Sequence, residues 1–509
     1  MSKSSEITSK SLSARSLSGL AWVSSGTLIS SFLRVGVVAI LARLLAPESF
    51  GVVAAVLVVC AFVEVFGQIG VAPALVQMDE VGQEDVATAL AISLSLGLAA
   101  AGAIIFSAAL IGQGFNMPEI VKPLRLVALI FPLRALGMVS SALVQRALKF
   151  RAMSLIDLNG YVFGYTPVSI ALAYYGFGYW AMIWGYIAQT AVSNVGYILN
   201  SPHSFRLSYS HESARKLLRF GGGITLARIA SYIGMNVDYF VVGRFLGPAA
   251  LGYYSRAFYL MQQPTKLIGN AADQVLFPIF SSIKKEEARI VRVYYLCTAV
   301  VFVLSSLASF NLFLLSSEFV NVLLGNAWAS VVLPFQLFCL SMPFRIAWKT
   351  SSTLIRSKGA ILQLVLWQLF YAFSVLVAAL IGSSWGINGV AMAVSIAMVL
   401  NYWASAAVLA TLYPVRLVKE AFVVMKALGV AALAASCTWA ILLLPGIREA
   451  DGLYRLVIGG IMCGLELVIV MLSLELVFPE EGRWLKERLG ITKYLPASLR
   501  SLGLQRRSR

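Results

Sequence analysis

Residues Leu251 to Ile283 read LGYYSRAFYLMQQPTKLIGNAADQVLFPIFSSI, and the rest of the chain is organised around this stretch. It is apolar and long enough to cross a bilayer, for which about twenty helical residues suffice. It nevertheless contains Arg256, Lys266 and Asp273. A charged side chain at bilayer depth costs roughly 2.5 to 3.5 kcal/mol on insertion scales, so these charges must face protein or water. The stretch therefore predicts a membrane helix that lines a polar space.

The polar residues of this stretch fall on one face of the predicted helix. Steps of three or four residues from Arg256 reach Tyr259, Gln263, Lys266, Asn270, Asp273 and Gln274, and the opposite face is apolar. This stripe indicates either a hydrophilic path or a set of polar contacts that holds a helix bundle together. Pro264 predicts a bend or break, because proline lacks an N–H and its ring clashes with the preceding turn.

Composition predicts an all-α polytopic membrane protein. The 509 residues are 59% hydrophobic and only 12% charged, whereas soluble domains carry about 25% charged residues. The net charge of +17 does not indicate nucleic acid binding, because the basic residues lie mostly in short segments between apolar runs. Fourteen such runs predict spanning helices over residues 17–45, 50–77, 86–113, 120–145, 152–175, 179–199, 219–246, 251–282, 290–316, 331–355, 360–382, 387–412, 421–444 and 453–478.

Loop charges predict the orientation of these helices. An even number of helices puts both termini on one side, and the segments on that side carry 26 Lys and Arg residues against 5 on the other side. Because Lys and Arg are enriched in cytoplasmic loops, both termini are predicted to be cytoplasmic. The loops on the external side are all short, which excludes an extracellular catalytic domain.

No motif for catalysis or for metal binding is present. The five cysteines lie inside apolar runs without a CxxC pair, and phosphate-loop, HExxH and GxSxG motifs do not occur. We therefore predict no enzyme activity, no catalytic residue, no metal site and no cofactor.

The predicted membrane interior is net positive. Basic residues inside apolar runs outnumber acidic ones, which favours an anionic ligand in a cleft of low dielectric constant. A second stripe at helical spacing contains Arg345, Lys349, Ser352 and Arg356, although Arg356 and Lys349 are also suited to reach the lipid headgroups.

An internal repeat relates the two halves of the chain. RLLAPESFG at Arg43 to Gly51 matches RFLGPAALG at Arg244 to Gly252, at an offset of 201 residues. The offset predicts two six-helix lobes related by an axis along the membrane normal. The predicted parts are an N-terminal lobe (1–199), a cytoplasmic linker (200–218), a second lobe (219–412), two further helices (413–478) and a basic cytoplasmic tail (479–509).

The two motifs, together with NVDYFVVGRFLGPAALGYYSRAFYLMQQP from residue 236, resemble the polysaccharide transporter branch of the MOP exporters, the Wzx-type flippases. The resemblance implies movement of undecaprenyl-pyrophosphate-linked oligosaccharides across the bacterial inner membrane by alternating access. It also implies arginines in the cleft walls, for which Arg34 and Arg256 are the best matches. Helix 2 departs from the related lipid II flippase, because it has Glu64 where an arginine is expected.

From these patterns we predict a set of substrate-binding residues and a set of ion-coupling residues. The substrate-binding candidates are Arg34, Arg134, Arg256, Tyr259, Gln263, Lys266, Arg345 and Lys349. The ion-coupling candidates are Glu64, Asp238 and Asp273, and salt bridges from Glu64 or Asp238 to Arg34 or Arg256 are an alternative role. Guanidinium groups suit a diphosphate, because their donors meet phosphate oxygens in pairs.

The predicted partners are the lipid-linked oligosaccharide, membrane lipids, and the polymerase and chain-length proteins of the same pathway. Two other functions remain open at this point. A cation-coupled multidrug exporter of the same fold would be favoured by an acidic cleft. A polysaccharide polymerase or ligase would be expected to carry a large external loop.

Overall fold

A computed structural model describes residues 29–67, 71–201, 206–283 and 286–477. These residues form helices joined by short turns and contain no β-strand. The helices are α1 (29–44), α2 (Pro47–Gly67), α3 (Val71–Gln77), α4 (Gln83–Phe115), α5 (Val121–Val127), α6 (Ile130–Arg146), α7 (Phe150–Asn159), α8 (Thr166–Tyr174), α9 (Tyr179–Asn200), α10 (His211–Ser282), α11 (Glu287–Leu314), α12 (Ser316–Leu323), α13 (Val332–Lys358), α14 (Ile361–Ser383), α15 (Gly386–Leu412), α16 (Leu417–Leu442), α17 (Pro445–Arg448) and α18 (Gly452–Val477). Two 3₁₀ turns, Pro118–Ile120 and Asn326–Val331, and one π-helical turn, Gly160–Tyr165, connect some of them.

The predicted all-α membrane fold is confirmed. Within the described part of the chain, nine helices are long and apolar enough to cross a membrane. Most bounds lie within a few residues of the predicted ones, but the predicted helix 120–145 is broken between α5 and α6. The run 50–77 contains α2 and α3, between which residues 68–70 lie outside the described part of the chain. The total of fourteen spanning helices stays a prediction.

Large apolar side chains cover the outer faces of the late helices. In α18 only 17% of the apolar window is buried within the protein, and in α14 only 22%. Exposed residues of these faces include Phe370, Phe373, Leu465 and Ile469. Contiguous apolar surface of this kind is typical of helices that face lipid.

The longest helical run, α10, is broken at Gly247. This residue has φ 82° and ψ −178°, a conformation that favours glycine because a side chain would clash there. Pro248 follows and begins the next helical arm, a position where its missing N–H has no partner to lose. The helix continues without interruption through Pro264, so a break at Pro264 is wrong, and the break lies instead at the step from Gly247 to Pro248. A bend at Pro264 stays a prediction.

The chain divides into two compact units. The first contains residues 1–259, 323–334 and 368–397, and the second contains residues 260–322, 335–367 and 398–509. Each is held by its own helix packing. The predicted lobe boundaries stay a prediction.

In the first unit the two repeat motifs pack directly against each other. A Cβ atom added to Gly51 would lie 2.7 Å from the carbonyl carbon of Pro248, and one added to Gly252 would lie 2.8 Å from the carbonyl carbon of Pro47. Both pairs are related by the same offset of 201 residues. The contact is therefore reciprocal, as expected for two copies of one motif that meet across a local two-fold axis.

In the second unit, α11 packs against α16 and α18. Thr438 of α16 and Asn311 of α11 both donate hydrogen bonds to the buried carboxylate of Glu466 on α18, at 2.6 and 2.8 Å. Arg455 forms an ion pair of 2.7 Å with Glu318 of α12. Buried polar contacts thus join the last helices of the chain to the rest of this unit.

Candidate functional site

Arg256 lies in α10, shortly after the repeat motif, with aromatic rings against its guanidinium. Its Cζ is 4.9 Å from the ring centroid of Phe50 and 5.1 Å from that of Tyr259. Its Nε is buried without a hydrogen-bond partner in the described part of the chain. Phe50 is held in place by Trp328, whose ring meets it edge-on at 5.0 Å. Trp328 is itself fully buried and donates a hydrogen bond of 2.8 Å to the carbonyl of Ala42.

Arg34 approaches the same group of aromatic residues from α1. Its Cζ lies 4.7 Å from the ring centroid of Tyr161, and the Tyr161 ring stacks on Tyr165 at 5.1 Å with an interplanar angle of 11°. Both guanidiniums interact electrostatically with the phenols of Tyr161, Tyr165 and Tyr259. The two arginines that the resemblance singled out therefore lie around one set of aromatic residues within the first unit.

The π-helical turn Gly160–Tyr165 positions the two stacked tyrosines. Pro167 follows this turn, and a proline inside a helix clashes with the carbonyl four residues earlier, which favours a locally wider turn. Gly160 and Gly164 allow α9 to approach closely, because a Cβ at Gly164 would lie 2.7 Å from the Cα of Gln189. Single π-helical turns are frequent at functional sites.

We define the arginine–tyrosine cluster as Arg34, Phe50, Tyr161, Tyr165, Arg256 and Tyr259. Among the described residues, neither arginine forms a hydrogen bond or an ion pair, since their recorded partners are aromatic rings. Asp157 interacts electrostatically with Arg34 but does not form an ion pair with it. The carboxylate of Asp157 instead accepts a hydrogen bond of 3.0 Å from the hydroxyl of Tyr197. The rings cover guanidinium faces and leave the N–H edges available. An anion with several acceptor oxygens matches such edges.

Glu64 and Arg134 form an ion pair away from the cluster. The Nη1 of Arg134 is 2.6 Å from the Oε2 of Glu64, and Nη2 donates a hydrogen bond of 2.7 Å to the hydroxyl of Tyr186. The expected pairing of Glu64 with Arg34 or Arg256 is wrong. Phe50 and Glu64 lie on the same helix, α2, and are separated by about 21 Å of helix rise.

The Glu64–Arg134 pair borders a cavity of ≈ 200 Å³ that is also lined by Ser93, Asn194 and Tyr197. We expect Arg134→Met to lower the free energy of unfolding by about 1 to 2 kcal/mol, because it leaves a half-buried carboxylate without its cation. Thermal unfolding of the purified protein measures this. The double change Arg134→Met with Glu64→Gln should recover most of the loss, and a double variant no better than the single one would contradict the coupling.

Asp238 is fully buried and does not pair with Arg256. Its Oδ2 accepts a hydrogen bond of 2.7 Å from the hydroxyl of Tyr254, and its Oδ1 accepts one of 3.1 Å from the backbone N–H of Tyr239. Tyr239 and Tyr254 meet edge-on at 5.8 Å, so Asp238 belongs to an aromatic pocket within α10. Its role in ion coupling stays a prediction.

Other predicted site residues belong to the second unit. Gln263 is partly buried and Lys266 is exposed on α10, whereas Arg345 is buried in α13. Lys349 packs so closely on α10 that a Cβ at Gly269 would lie 2.7 Å from its Nζ. The side chain of Asp273 lies outside the described residues. Substrate binding by these residues stays a prediction.

Sequence reasoning missed Phe50, Tyr161 and Tyr165. Phe50 occupies a position inside the first repeat motif, where it was indistinguishable from an ordinary core residue. Tyr161 and Tyr165 did carry a signal, because they are four residues apart, each follows a glycine, and Pro167 lies close behind.

Comparisons with known proteins identify the family and the fold. The family described as "Polysaccharide biosynthesis protein" matches residues 40–333, which include most of the arginine–tyrosine cluster. The lipopolysaccharide biosynthesis protein WzxC of Escherichia coli (strain K12) is 25% identical over 394 residues, 77% of this chain and 80% of that protein. The succinoglycan biosynthesis transport protein ExoT of Rhizobium meliloti (strain 1021) is 30% identical over 292 residues, 57% of this chain and 59% of that protein.

Solved structures show the same fold. The lipid II flippase MurJ in an inward closed conformation gives a TM-score of 0.72 at 15% identity, covering 89% of this chain and 99% of that chain. An inward-facing multidrug resistance MATE family transporter of the MOP superfamily gives a TM-score of 0.56 at 14% identity, covering 74% and 94%.

Proposed function

Because the chain belongs to the polysaccharide biosynthesis protein family, we propose that it flips undecaprenyl-pyrophosphate-linked oligosaccharide repeat units across the bacterial inner membrane. The units would serve exopolysaccharide, capsule or O-antigen synthesis. The protein is a multi-pass membrane protein, and two lobes would alternate in opening to either side, as the flippase fold allows. The polymerase and chain-length proteins of the same pathway are the expected protein partners.

One observation carries this proposal. Arg34 and Arg256 have aromatic rings against their guanidinium faces, and no described carboxylate neutralises them by an ion pair. A pyrophosphate offers several charged oxygens, which two guanidinium groups can bind in pairs. The lipid tail can remain in the bilayer while the polar head moves past the cluster. Substrate binding by Arg134, Tyr259, Gln263, Lys266, Arg345 and Lys349 belongs to the same proposal.

The fold by itself does not select the substrate, because a multidrug transporter shares it. A cation exporter needs acidic or aromatic groups that accept positive charge. The arginine–tyrosine cluster contains no acidic residue, and the faces of its Tyr161, Phe50 and Tyr259 rings already meet two guanidiniums, so it favours an anionic cargo. Chain polymerisation or ligation would require catalytic groups, and the relatives are named as transport and biosynthesis proteins rather than as transferases.

The direct test is loss of the gene in its host. We expect lipid-linked repeat units to accumulate on the cytoplasmic face and surface polysaccharide to be lost, and expression of the intact chain should restore both. Sidedness is measured by the access of a membrane-impermeant glycosidase to the units in spheroplasts. Normal access in the deletion strain would overturn the proposal.

A second test addresses the orientation of the chain. Because loop charges favour cytoplasmic termini, a C-terminal alkaline phosphatase fusion, active only in the periplasm, should be inactive. A C-terminal green fluorescent protein fusion, which matures in the cytoplasm, should fluoresce as the matched control. High phosphatase activity with a dark fluorescent fusion would reverse the proposed topology.

A further inference from the structure

Glu420 is a buried carboxylate in the first turn of α16 that the arginine–tyrosine cluster does not use. It is completely buried within the second unit. Its Oε1 accepts hydrogen bonds of 2.6 Å from both Tyr294 of α11 and Tyr402 of α15. The hydroxyl of Tyr294 is also 3.0 Å from that of Ser351 on α13. Groups from four helices therefore converge on one carboxyl group.

The hydrogen bonding around Glu420 is incomplete in either charge state. Its Oε2 is buried and has no hydrogen-bond partner among the described residues. Ionised, the group would be a buried anion with two tyrosine donors and no cation, which is costly. Protonated, it would carry on Oε2 a hydroxyl that lacks an acceptor.

The groups that face Glu420 contain no positive charge. In the described structure the titratable side chains acting on it or acted on by it are Tyr294 and Tyr295 of α11 and Tyr402 of α15. α13 contributes the hydroxyl of Ser351. On α16 itself, Lys419 is exposed, with its Nζ 5.0 Å from the ring centroid of Tyr295. The position of Glu420 in the first turn of α16 adds only the favourable helix dipole.

Glu466 provides a comparison within the same group of helices. Its carboxylate is also buried, but both of its oxygens accept hydrogen bonds, from Thr438 and from Asn311. Both oxygens of this carboxylate are therefore occupied as acceptors. Glu420 differs because one of its oxygens is free to gain or lose a proton without breaking a hydrogen bond.

We propose that Glu420 is an exchangeable proton site that couples proton movement to the transport cycle. The coupling to transport rests on the proposed function, whereas the exchange of a proton at Glu420 does not. The bound species is a proton rather than a metal ion, because the tyrosine oxygens lie 2.6 Å from Oε1 and a metal would have to push them apart. The proton is taken up from water onto Oε2 and released from it to water, so only one O–H bond forms and breaks.

The route from Glu420 to the substrate path runs through α13. Protonation removes the charge that holds the two tyrosine hydroxyls on Oε1, and Tyr294 then shifts its hydrogen bonding toward Ser351. Ser351 lies on the same helix as Arg345 and Lys349, two predicted substrate-binding residues. Proton exchange at Glu420 is therefore placed to alter the register or tilt of the helix that carries these cations.

The path by which a proton reaches Glu420 from the nearest helix ends is short. α11 begins at Glu287, α16 begins at Leu417 and α13 ends at Lys358, so the site lies within about two helical turns of these helix ends. Loop charges place these ends on the cytoplasmic side. The proton site would thus exchange with the cytoplasm when the second unit loosens there.

Infrared spectroscopy of the reconstituted wild-type protein tests the proton site without reference to transport. A pH titration should show a carboxylic acid C=O band that appears as the pH falls, and Glu420→Gln should remove it. Glu466→Gln, a matched change in the neighbouring buried carboxylate, should leave that band in place. A titration of Glu420→Gln indistinguishable from that of the wild type would overturn the proposal.

Tyr402→Phe is a second variant, which removes one donor to Oε1 and keeps the aromatic volume. Because hydrogen bonds to a carboxylate favour its charged form, the band should appear at a pH about one to two units higher. An unchanged titration midpoint would contradict the assignment even if Glu420→Gln failed to fold.

Transport assays test the coupling. In vesicles that transport lipid-linked units, Glu420→Gln should lose all stimulation by a pH gradient, whereas Glu466→Gln should keep it. Gradient stimulation that persists in Glu420→Gln would overturn the coupling role. If no variant or wild-type vesicle moves the lipid-linked units, the proposed function fails, while the infrared titration still decides whether Glu420 exchanges a proton.

Discussion

Arg256→Ala should strongly reduce delivery of lipid-linked repeat units to the periplasm at normal protein levels in the membrane. The change removes a charge-assisted, bidentate contact to pyrophosphate, worth about 1.5 to 3 kcal/mol, and reduces transport by about ten- to a hundred-fold. Complementation of a flippase-null strain, read together with membrane abundance, measures the effect. Arg256→Lys should recover part of the transport, because lysine keeps the charge but loses the planar fork.

Arg244→Ala is the matched control for this experiment. Arg244 lies on the same helix, is exposed, and donates a hydrogen bond of 2.8 Å to the backbone carbonyl of Gln113. Its loss should leave transport close to the wild-type rate. If Arg244→Ala and Arg256→Ala impair transport equally, the effect reflects the fold of α10, and the binding role of Arg256 is contradicted.

A second variant separates substrate binding from charge neutralisation. If Arg256 neutralised Asp238, then Asp238→Asn would rescue Arg256→Ala, because the stranded carboxylate would be gone. The structure shows Asp238 bonded to Tyr254 instead, so we expect no rescue. Restored transport in the double variant would show that Arg256 has a structural role.

Gly51→Ala and Gly252→Ala should each strongly reduce the amount of folded protein. In both variants the added Cβ overlaps a backbone carbonyl of the opposite motif, and no side-chain rotation relieves this overlap. Overpacking typically costs about 1 to 3 kcal/mol, and a rigid backbone partner puts these changes at the upper end. That is a large share of a total stability of about 5 to 15 kcal/mol. Thermal unfolding in detergent and membrane abundance provide the measurement.

Gly36→Ala and Gly429→Ala are the controls for the glycine variants. Both glycines lie within helices, and a Cβ at either one would meet no atom within 4 Å. Alanine also has the higher helix propensity, so these variants should be as stable as the wild type or slightly more so. If the control variants and the motif variants lower the thermal stability equally, the close approach of the two motifs is not the cause of the destabilisation.

Most of the helical architecture was predictable because hydropathy in a membrane chain is a strong, one-dimensional signal. The apolar runs located α4, α9, α11 and the later helices to within a few residues. The break between α5 and α6 was not predictable, since Ala128 and Leu129, which join them, are as apolar as the helices themselves. The break at Gly247 was missed because a proline within an apolar run, here Pro264, is the usual signal for a helix break. The actual break is at a proline preceded by glycine, Gly247 and Pro248.

The candidate site was predictable in its cations and not in their partners. A charge inside an apolar run stands out, so Arg34 and Arg256 could be found from the sequence. The sequence did not identify Tyr161, Tyr165 and Phe50, because aromatic residues are common in membrane helices. Whether such a ring contacts an arginine that is distant in sequence depends on how the helices pack. The pairing of Glu64 with Arg134 depends likewise on helix packing, across 70 positions of sequence.

The reciprocal contact of Gly51 with Pro248 and of Gly252 with Pro47 also bears on the ancestry of the chain. After a duplication the two copies of a gene segment normally diverge independently, and their kinship fades. Here each repeat motif packs against the other, so a change in one motif must be compatible with the residue that it contacts in the other motif. The contacting residues are identical in the two motifs, proline at Pro47 and Pro248 and glycine at Gly51 and Gly252, whereas five of the nine aligned positions differ. The reciprocal contact therefore constrains proline and glycine in both copies together, because a side chain added in one copy would meet the backbone of the other.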